Sequence, residues 1–159
     1  MSTYQWLLFL HVTGAFLFVG GAVAAAVFSM SAQRSDRPSE IALLLRLARL
    51  AIPVIGVGAL LTLVVGLWLV HAAEQGYSFG DGWVIGALVL WATASAAGGI
   101  GGRHEKQTRL RAERLAREAD APDAELRARL RNPFALALNW GSGVVLLGVL
   151  ALMIWKPGA

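Results

Sequence analysis

Four long apolar stretches dominate the 159-residue sequence and leave few folds open to it. They run from about residues 6 to 30, 52 to 73, 83 to 102 and 134 to 155. The hydrocarbon core of a bilayer is about 30 Å thick and takes ~20 helical residues to cross. No water is present there to pair with the backbone, so each N–H and C=O must find its partner inside the segment. The expected fold class is therefore all-α: a polytopic membrane protein built as a four-transmembrane-helix bundle, a single membrane domain over residues 1–159. Charged residues make up only 15% of the chain, against about 25% in soluble domains, and they gather in two blocks between the apolar stretches. The first stretch is open to confusion with a secretory signal, since Ala22–Ala26 resembles a cleavage site. Met1–Gln5 has no Lys or Arg, however, so the basic start of a signal is missing and the stretch reads as a retained span.

Orientation follows from the placement of charge. Arg34, Arg37, Arg46 and Arg49 lie between the first and second spans. Arg103, Lys106, Arg109, Arg111, Arg114, Arg117, Arg127, Arg129 and Arg131 lie between the third and fourth, and only Lys156 stands on the other side. Basic loops stay in the cytoplasm, so both termini are expected outside a cell membrane crossed several times. Trp6, Trp68, Trp83 and Trp155 all fall at the outer ends of the spans, beside Tyr4 and Tyr77, where amphipathic rings prefer the interface. The net charge of +4 then fits anionic headgroups of the lipid bilayer, and no nucleic-acid partner is expected.

The cytoplasmic connections also read as helical. Ile41–Leu50 either extends the second span or lies along the headgroups. The stretch from about 103 to 131 is rich in Arg, Glu, Ala and Leu. Glu105/Arg109, Glu113/Arg117, Asp123/Arg127 and Glu125/Arg129 stand four apart with the acid first, the favoured order on a helix. Ala121-Pro122-Asp123 divides it into two helices. The segment reads as a solvated stalk or as a docking surface for a partner.

Lipid tails are as apolar as leucine, so spans associate through close packing at small residues. Candidate stripes are Gly14, Gly21 and Ala25 on the first span and Gly58, Thr62 and Gly66 on the second. Ala94, Gly98 and Gly102 form one on the third, and Ala137 and Gly141 on the fourth. Pro53 and Pro133 are expected near the starts of their spans, where a missing N–H costs little.

No Asp, Glu, Lys or Arg lies inside a span, which argues against proton-coupled transport. His11 is the main polar residue within one. Helical spacing puts it on the face of Gly14, Ala15, Phe18, Gly21 and Ala25, with Val12, Phe16, Val19 and Val23 turned elsewhere. Such an imidazole must find a hydrogen-bond partner or bind something. His71 stands at the outer end of the second span and His104 on the cytoplasmic side. Asn139 is expected to bond across helices. There is no cysteine, and Met30 and Met153 lie at opposite ends of their spans, so no soft cluster for copper is expected. No catalytic residue and no metal site stand out.

Leu10-His11-Val12-Thr13-Gly14, followed by Gly20-Gly21, resembles the first span of the CopD-like (copper-resistance) and HemJ-like membrane proteins. The chain looks closest to a related group of integral membrane proteins with no assigned function. Pro53, Gly66-Leu67-Trp68-Leu69, Trp83 and Lys156-Pro157 extend the likeness over nearly the whole chain. The resemblance implies haem b as cofactor, with His11 as candidate ligand and His71 as a weaker one. HemJ-like proteins also oxidise protoporphyrinogen. Their third span begins with a histidine and a lysine, where this chain reads Trp83-Val84-Ile85-Gly86-Ala87-Leu88, and the arginine they carry late in the first span is absent. The reading is thus a non-enzymatic membrane protein binding haem through His11. The alternatives are an interaction subunit, packed against a second copy or another membrane protein, and a transporter of a small solute or copper.

The topology is open to direct test in this cysteine-free chain. An impermeant thiol reagent applied to intact cells should label Ser78→Cys and leave Ser35→Cys untouched; the reverse pattern would invert the assignment.

Overall fold

A computed structural model describes residues 2–72 and 76–157, apart from the side chain of Asn139. The expectation for Asn139 and the end of the second span at Ala73 therefore lie outside the described residues. Five helices follow in order: α1 (Thr3–Arg34), α2 (Pro38–Ala72), α3 (Gly82–Glu118), α4 (Ala124–Leu130) and α5 (Pro133–Trp155). The fold is all-α, and α1, α2, α3 and α5 carry the four stretches long and apolar enough to cross a membrane.

Local chemistry explains the boundaries. Ser2 and Gln5 form a reciprocal capping box at the start of α1. Pro38 and Pro133 are the first residues of α2 and α5, where no N–H is needed. The Asn132 side chain accepts from the backbone N–H groups of Phe134 and Ala135 at 2.9 and 3.3 Å. Asp120 ends α3 in the left-handed region, φ 46°, which short polar side chains tolerate. The expected break at Ala121-Pro122-Asp123 falls between α3 and α4.

With 32, 35 and 37 residues, α1, α2 and α3 run about 48–55 Å at ~1.5 Å per residue, some 20 Å more than a hydrocarbon core. The excess lies at the basic end. Ile41–Leu50 is part of α2, so it extends the span and does not lie along headgroups. As a consequence, Pro53 sits in the interior of α2 and not near a helix start. The helix runs through it, leaving the Arg49 carbonyl without its usual donor.

Packing differs between the two halves of the molecule. Along the apolar half, α1 and α2 meet at glycines. A Cβ on Gly58 would collide with the Phe18 backbone nitrogen and lie 2.8 Å from the Gly14 carbonyl oxygen. One on Gly14 would lie 2.8 Å from the Thr62 backbone nitrogen, and one on Gly21 would lie 2.8 Å from Ile55 Cγ1. The stripes on these two spans thus form the α1–α2 contact. Those expected on the third and fourth spans do not: Gly98, Gly102 and Gly141 have nothing near them, although Ala94 is buried. There the contact turns on other glycines, with Leu152 over Gly86 and Leu90 over Gly148, so that leucines of each helix enter notches on the other. The neighbour order is α1–α2–α3–α5, and α1 meets α5 only briefly.

At the basic end the chain makes a core of the water-soluble kind. Ala32, Ile41, Ala42, Leu45, Ala112 and Leu126 are buried together, with Leu44, Leu115 and Leu130 against them. The short helix α4 folds back and inserts Leu126, 1% exposed, into this cluster. Ionic contacts surround it: Arg127 reaches Asp36 at 2.7 Å, Arg111 reaches Glu125 at 2.8 Å and Asp123 at 3.3 Å, and Ser39 binds Asp120. Of the four expected i,i+4 pairs only Glu125/Arg129 forms. Arg109 instead takes Glu113, and Asp123 caps α4 at the Leu126 N–H. Tertiary partners displace the expected neighbour only for Asp123 and Arg127, which turn to Arg111 and Asp36 because α4 folds back over α3.

At the aromatic end Trp6, Trp68 and Trp155 are exposed, as an interfacial girdle requires. Trp83 departs from that expectation. It is buried with Val70 and Val84 and meets Tyr77 edge-on at 5.4 Å. Lys156 lies over the same pair, its Nζ donating to the Tyr77 hydroxyl at 3.1 Å. This clasp ties the end of α5 to the start of α3.

Gly58→Ala should force α1 from α2 and cost about 1–3 kcal/mol, read as a lower unfolding midpoint in detergent. Gly141→Ala meets open space and should leave the midpoint unchanged or raise it.

Candidate functional site

The residues that could carry chemistry inside the apolar half gather where α1 faces the outer part of α2. Gly14, Phe18 and Gly21 are buried on that face, and Val12, Phe16 and Val23 are exposed on the other. His11 belongs to the buried face, and its ring rests in the notch left by Gly66. A Cβ on Gly66 would lie 2.9 Å from His11 Cε1 and 3.1 Å from Nδ1. At that position Nδ1 is 3.0 Å from the Thr62 carbonyl oxygen. A carbonyl only accepts, so Nδ1 carries the proton and donates it. In the neutral ring Nε2 is then the bare nitrogen, and it has no hydrogen-bond partner among the described residues.

Two further polar atoms lie at about this depth. The Thr62 hydroxyl is buried against Gly14, the indole nitrogen of Trp91 on α3 is buried as well, and neither has a hydrogen-bond partner among the described residues. Val70 and Trp83 pack together across α2 and α3. Thr62 and Trp91 each lie eight residues inward from them (62 to 70, 83 to 91), about 12 Å along each helix. The His11 imidazole, the Thr62 hydroxyl and the Trp91 indole therefore share one layer by depth alone, with Trp91 on a helix that α1 does not pack against. Sequence reading missed Trp91, although a tryptophan in mid-span, away from the girdle, is itself the signal.

The other candidates are not brought to this layer. His71 is exposed near the end of α2, five residues beyond Gly66 and nine beyond Thr62, or about 8–13 Å along the axis. The antiparallel register, with Gly14 beside Thr62 and Gly21 beside Ile55, sets His71 level with the first turn of α1. His104 lies at the basic end, its Nε2 3.3 Å from the Arg129 carbonyl oxygen. Among the described residues no group of three or more His, Cys, Asp or Glu could hold a metal ion. The layer offers one nitrogen ligand on a fixed ring, a hydroxyl and an indole N–H, inside an otherwise apolar wall.

The contact between His11 and Gly66 should appear as coupling. Gly66→Ala should displace the ring and lower the unfolding midpoint, by about 0.5–2 kcal/mol if the hydrogen bond to Thr62 is lost. In a His11→Ala background the same change should be nearly silent, which a double-mutant cycle in detergent would measure.

Over residues 5–157 the chain matches the model of a family described as "Predicted integral membrane protein (DUF2269)". No curated protein and no solved structure matches it.

Proposed function

We propose, for a chain that belongs to the DUF2269 family of predicted integral membrane proteins, a non-catalytic haem-binding role in which His11 Nε2 is an axial ligand of haem b. The observation that carries the reading is the hydrogen bond from Nδ1 to the Thr62 carbonyl oxygen at 3.0 Å. A backbone carbonyl holding one imidazole nitrogen, and so fixing the tautomer and orientation of the other, is how metal-binding histidines are commonly set. The likeness of Leu10–Gly14 and Gly20-Gly21 to the CopD-like and HemJ-like first span points the same way.

The donor set fits one axial bond from this chain and not two. His71 stands too far along α2 to serve together with His11. When bound, the haem supplies one-electron chemistry at its iron. The chain would hold it through the His11 imidazole, whose orientation the Thr62 carbonyl sets. In this reading the basic end lies in the cytoplasm and both termini outside the cell membrane. One observation favours the second reading, an interaction subunit: among the described residues of α5 only Val149 is buried, leaving a broad face for another membrane protein.

An absorption spectrum of the purified protein, expressed with ample haem, separates the two. A Soret band is expected in the wild type, lost or shifted in His11→Ala because an axial ligand sets the iron's spectrum, and unchanged in His104→Ala. A colourless wild type that takes up no added haemin would sink the haem reading.

A further inference from the structure

One carboxylate at the basic end is held between helices without a cation bound to it. Glu105 lies on α3 three residues past Gly102, outside the apolar stretch. It turns toward α1, where it accepts a hydrogen bond from the Ser29 hydroxyl at 3.3 Å. Ser29 is itself buried. The cation that sequence spacing offers Glu105 is Arg109, but the guanidinium of Arg109 is bound to Glu113, which also receives Arg46 at 3.6 Å. No ion pair of Glu105 exists among the described residues.

A small cavity of about 40 Å³ opens beside it, with Ser29, Gln33, His104, Thr108 and Arg129 among its lining. Its volume suits one or a few water molecules. The groups facing Glu105 from each helix are few. From α1 come Ser29 and Gln33, neither titratable, and from α2 comes Leu45, Arg46 being turned to Glu113. On α3 are His104 and Arg109. The Thr108 hydroxyl donates to the His104 carbonyl at 3.1 Å. On α4 the Arg129 guanidinium is held by Glu125 at 3.2 Å, and α5 brings only Ala135 and Leu136.

We propose that Glu105 is a proton-binding site that joins α1 to α3 at the basic end of the bundle. The bond to Ser29 joins two helices that otherwise lie apart, since α1 packs on α2 and α3 packs on α2 and α5. With a proton on one oxygen, the carboxyl sits in this pocket at little cost, accepting from Ser29. When the proton leaves to solvent, an unpaired charge remains between helices and draws water into the cavity, and α1 loosens from α3. Burial pushes the Glu105 carboxyl above its ordinary range, against the smaller opposing pulls of the Ser29 bond and the Arg109 charge. The sign follows: a group whose folded value is raised contributes stability that is complete below the ordinary value of 4.5 and is lost as pH rises through the folded one. Asp120 and Asp123 are held below their ordinary value, by the Ser39 hydroxyl and by the Leu126 N–H respectively, so their contributions are lost only in stronger acid. The site stands apart from His11 and needs no haem.

The test uses the full chain in nanodiscs with spin-labelled cysteines at the exposed positions Arg34 on α1 and Gln107 on α3. From mild acid to neutral pH the wild type should show a lengthening or broadening distance and a falling unfolding midpoint. Glu105→Gln, which keeps the shape of the protonated form, should abolish both changes. Ser29→Ala removes a bond that favours the charged form, so it should move the fall of the unfolding midpoint to higher pH while leaving the α1–α3 distance long at every pH, and it serves if Glu105→Gln fails to fold. His104→Gln should leave the profile in place. A flat wild-type profile would overturn the proposal, as would a Glu105→Gln profile like the wild type or a transition abolished by His104→Gln. A midpoint that tracks sodium concentration and not pH would overturn it in favour of a metal-ion site.

Discussion

The approach of α1 to α2 at Gly58 is the contact on which the rest of the structure depends. Inside a bilayer, burying apolar side chains between helices brings little gain, because lipid is an equally good solvent for them. What remains is close van der Waals packing, and its depth is set by the smallest residues. Gly58 receives the backbone of α1 at Gly14 and Phe18, and Gly14 receives Thr62. This register then places the His11 ring in the notch of Gly66 and beneath the Thr62 carbonyl. A shift of one turn along the seam, about 5.4 Å, would leave the imidazole without either. The position of the candidate ligand is therefore a consequence of backbone contact two turns away.

The two halves of the molecule obey different solvents. In the apolar half, large side chains such as Phe16, Val144 and Leu147 are exposed and glycines make the contacts. Beyond it the helices continue for another ~20 Å, and ordinary hydrophobic burial takes over. Ala32 and Ala112 are fully buried there, and Leu126 of α4 nearly so. The ion pairs around that core tie the connection between α3 and α5 to the α1–α2 turn through Arg127 and Asp36. A short connection that folds back in this way fixes the basic end of the helices, while at the aromatic end the clasp of Lys156, Tyr77 and Trp83 ties α5 to α3.

Much of this is legible in the sequence, and the failures have a common cause. The four spans, the helix break after Glu118 and the buried face of α1 follow from local periodicity and composition. Pairings between helices do not. Gly98 and Gly102 stand four apart, as Gly58, Thr62 and Gly66 do, and Gly141 stands four beyond Ala137, but these glycines meet nothing, because spacing describes one helix and contact requires two. Asp123 and Arg127 found partners outside their own helix for the same reason. Trp83 looks like an interface anchor by position, yet Val70 of α2 and Tyr77 pack against it. At the candidate site, the face and depth of His11 could be read in advance. The choice of Thr62 as its partner and the presence of Trp91 in the same layer required the α1–α2 and α2–α3 registers.

The central claim is that the seam holds His11 with its proton on Nδ1 and its Nε2 bare. Solid-state nuclear magnetic resonance of the protein in lipid bilayers, with isotopically labelled histidine nitrogens and the His11→Ala variant to assign the signal, reports this directly. The account predicts a protonated, hydrogen-bonded Nδ1 coupled to the Thr62 carbonyl carbon, with an unprotonated Nε2 in protein free of haem. A His11 ring protonated at Nε2, with Nδ1 bare and no coupling to Thr62, would contradict it.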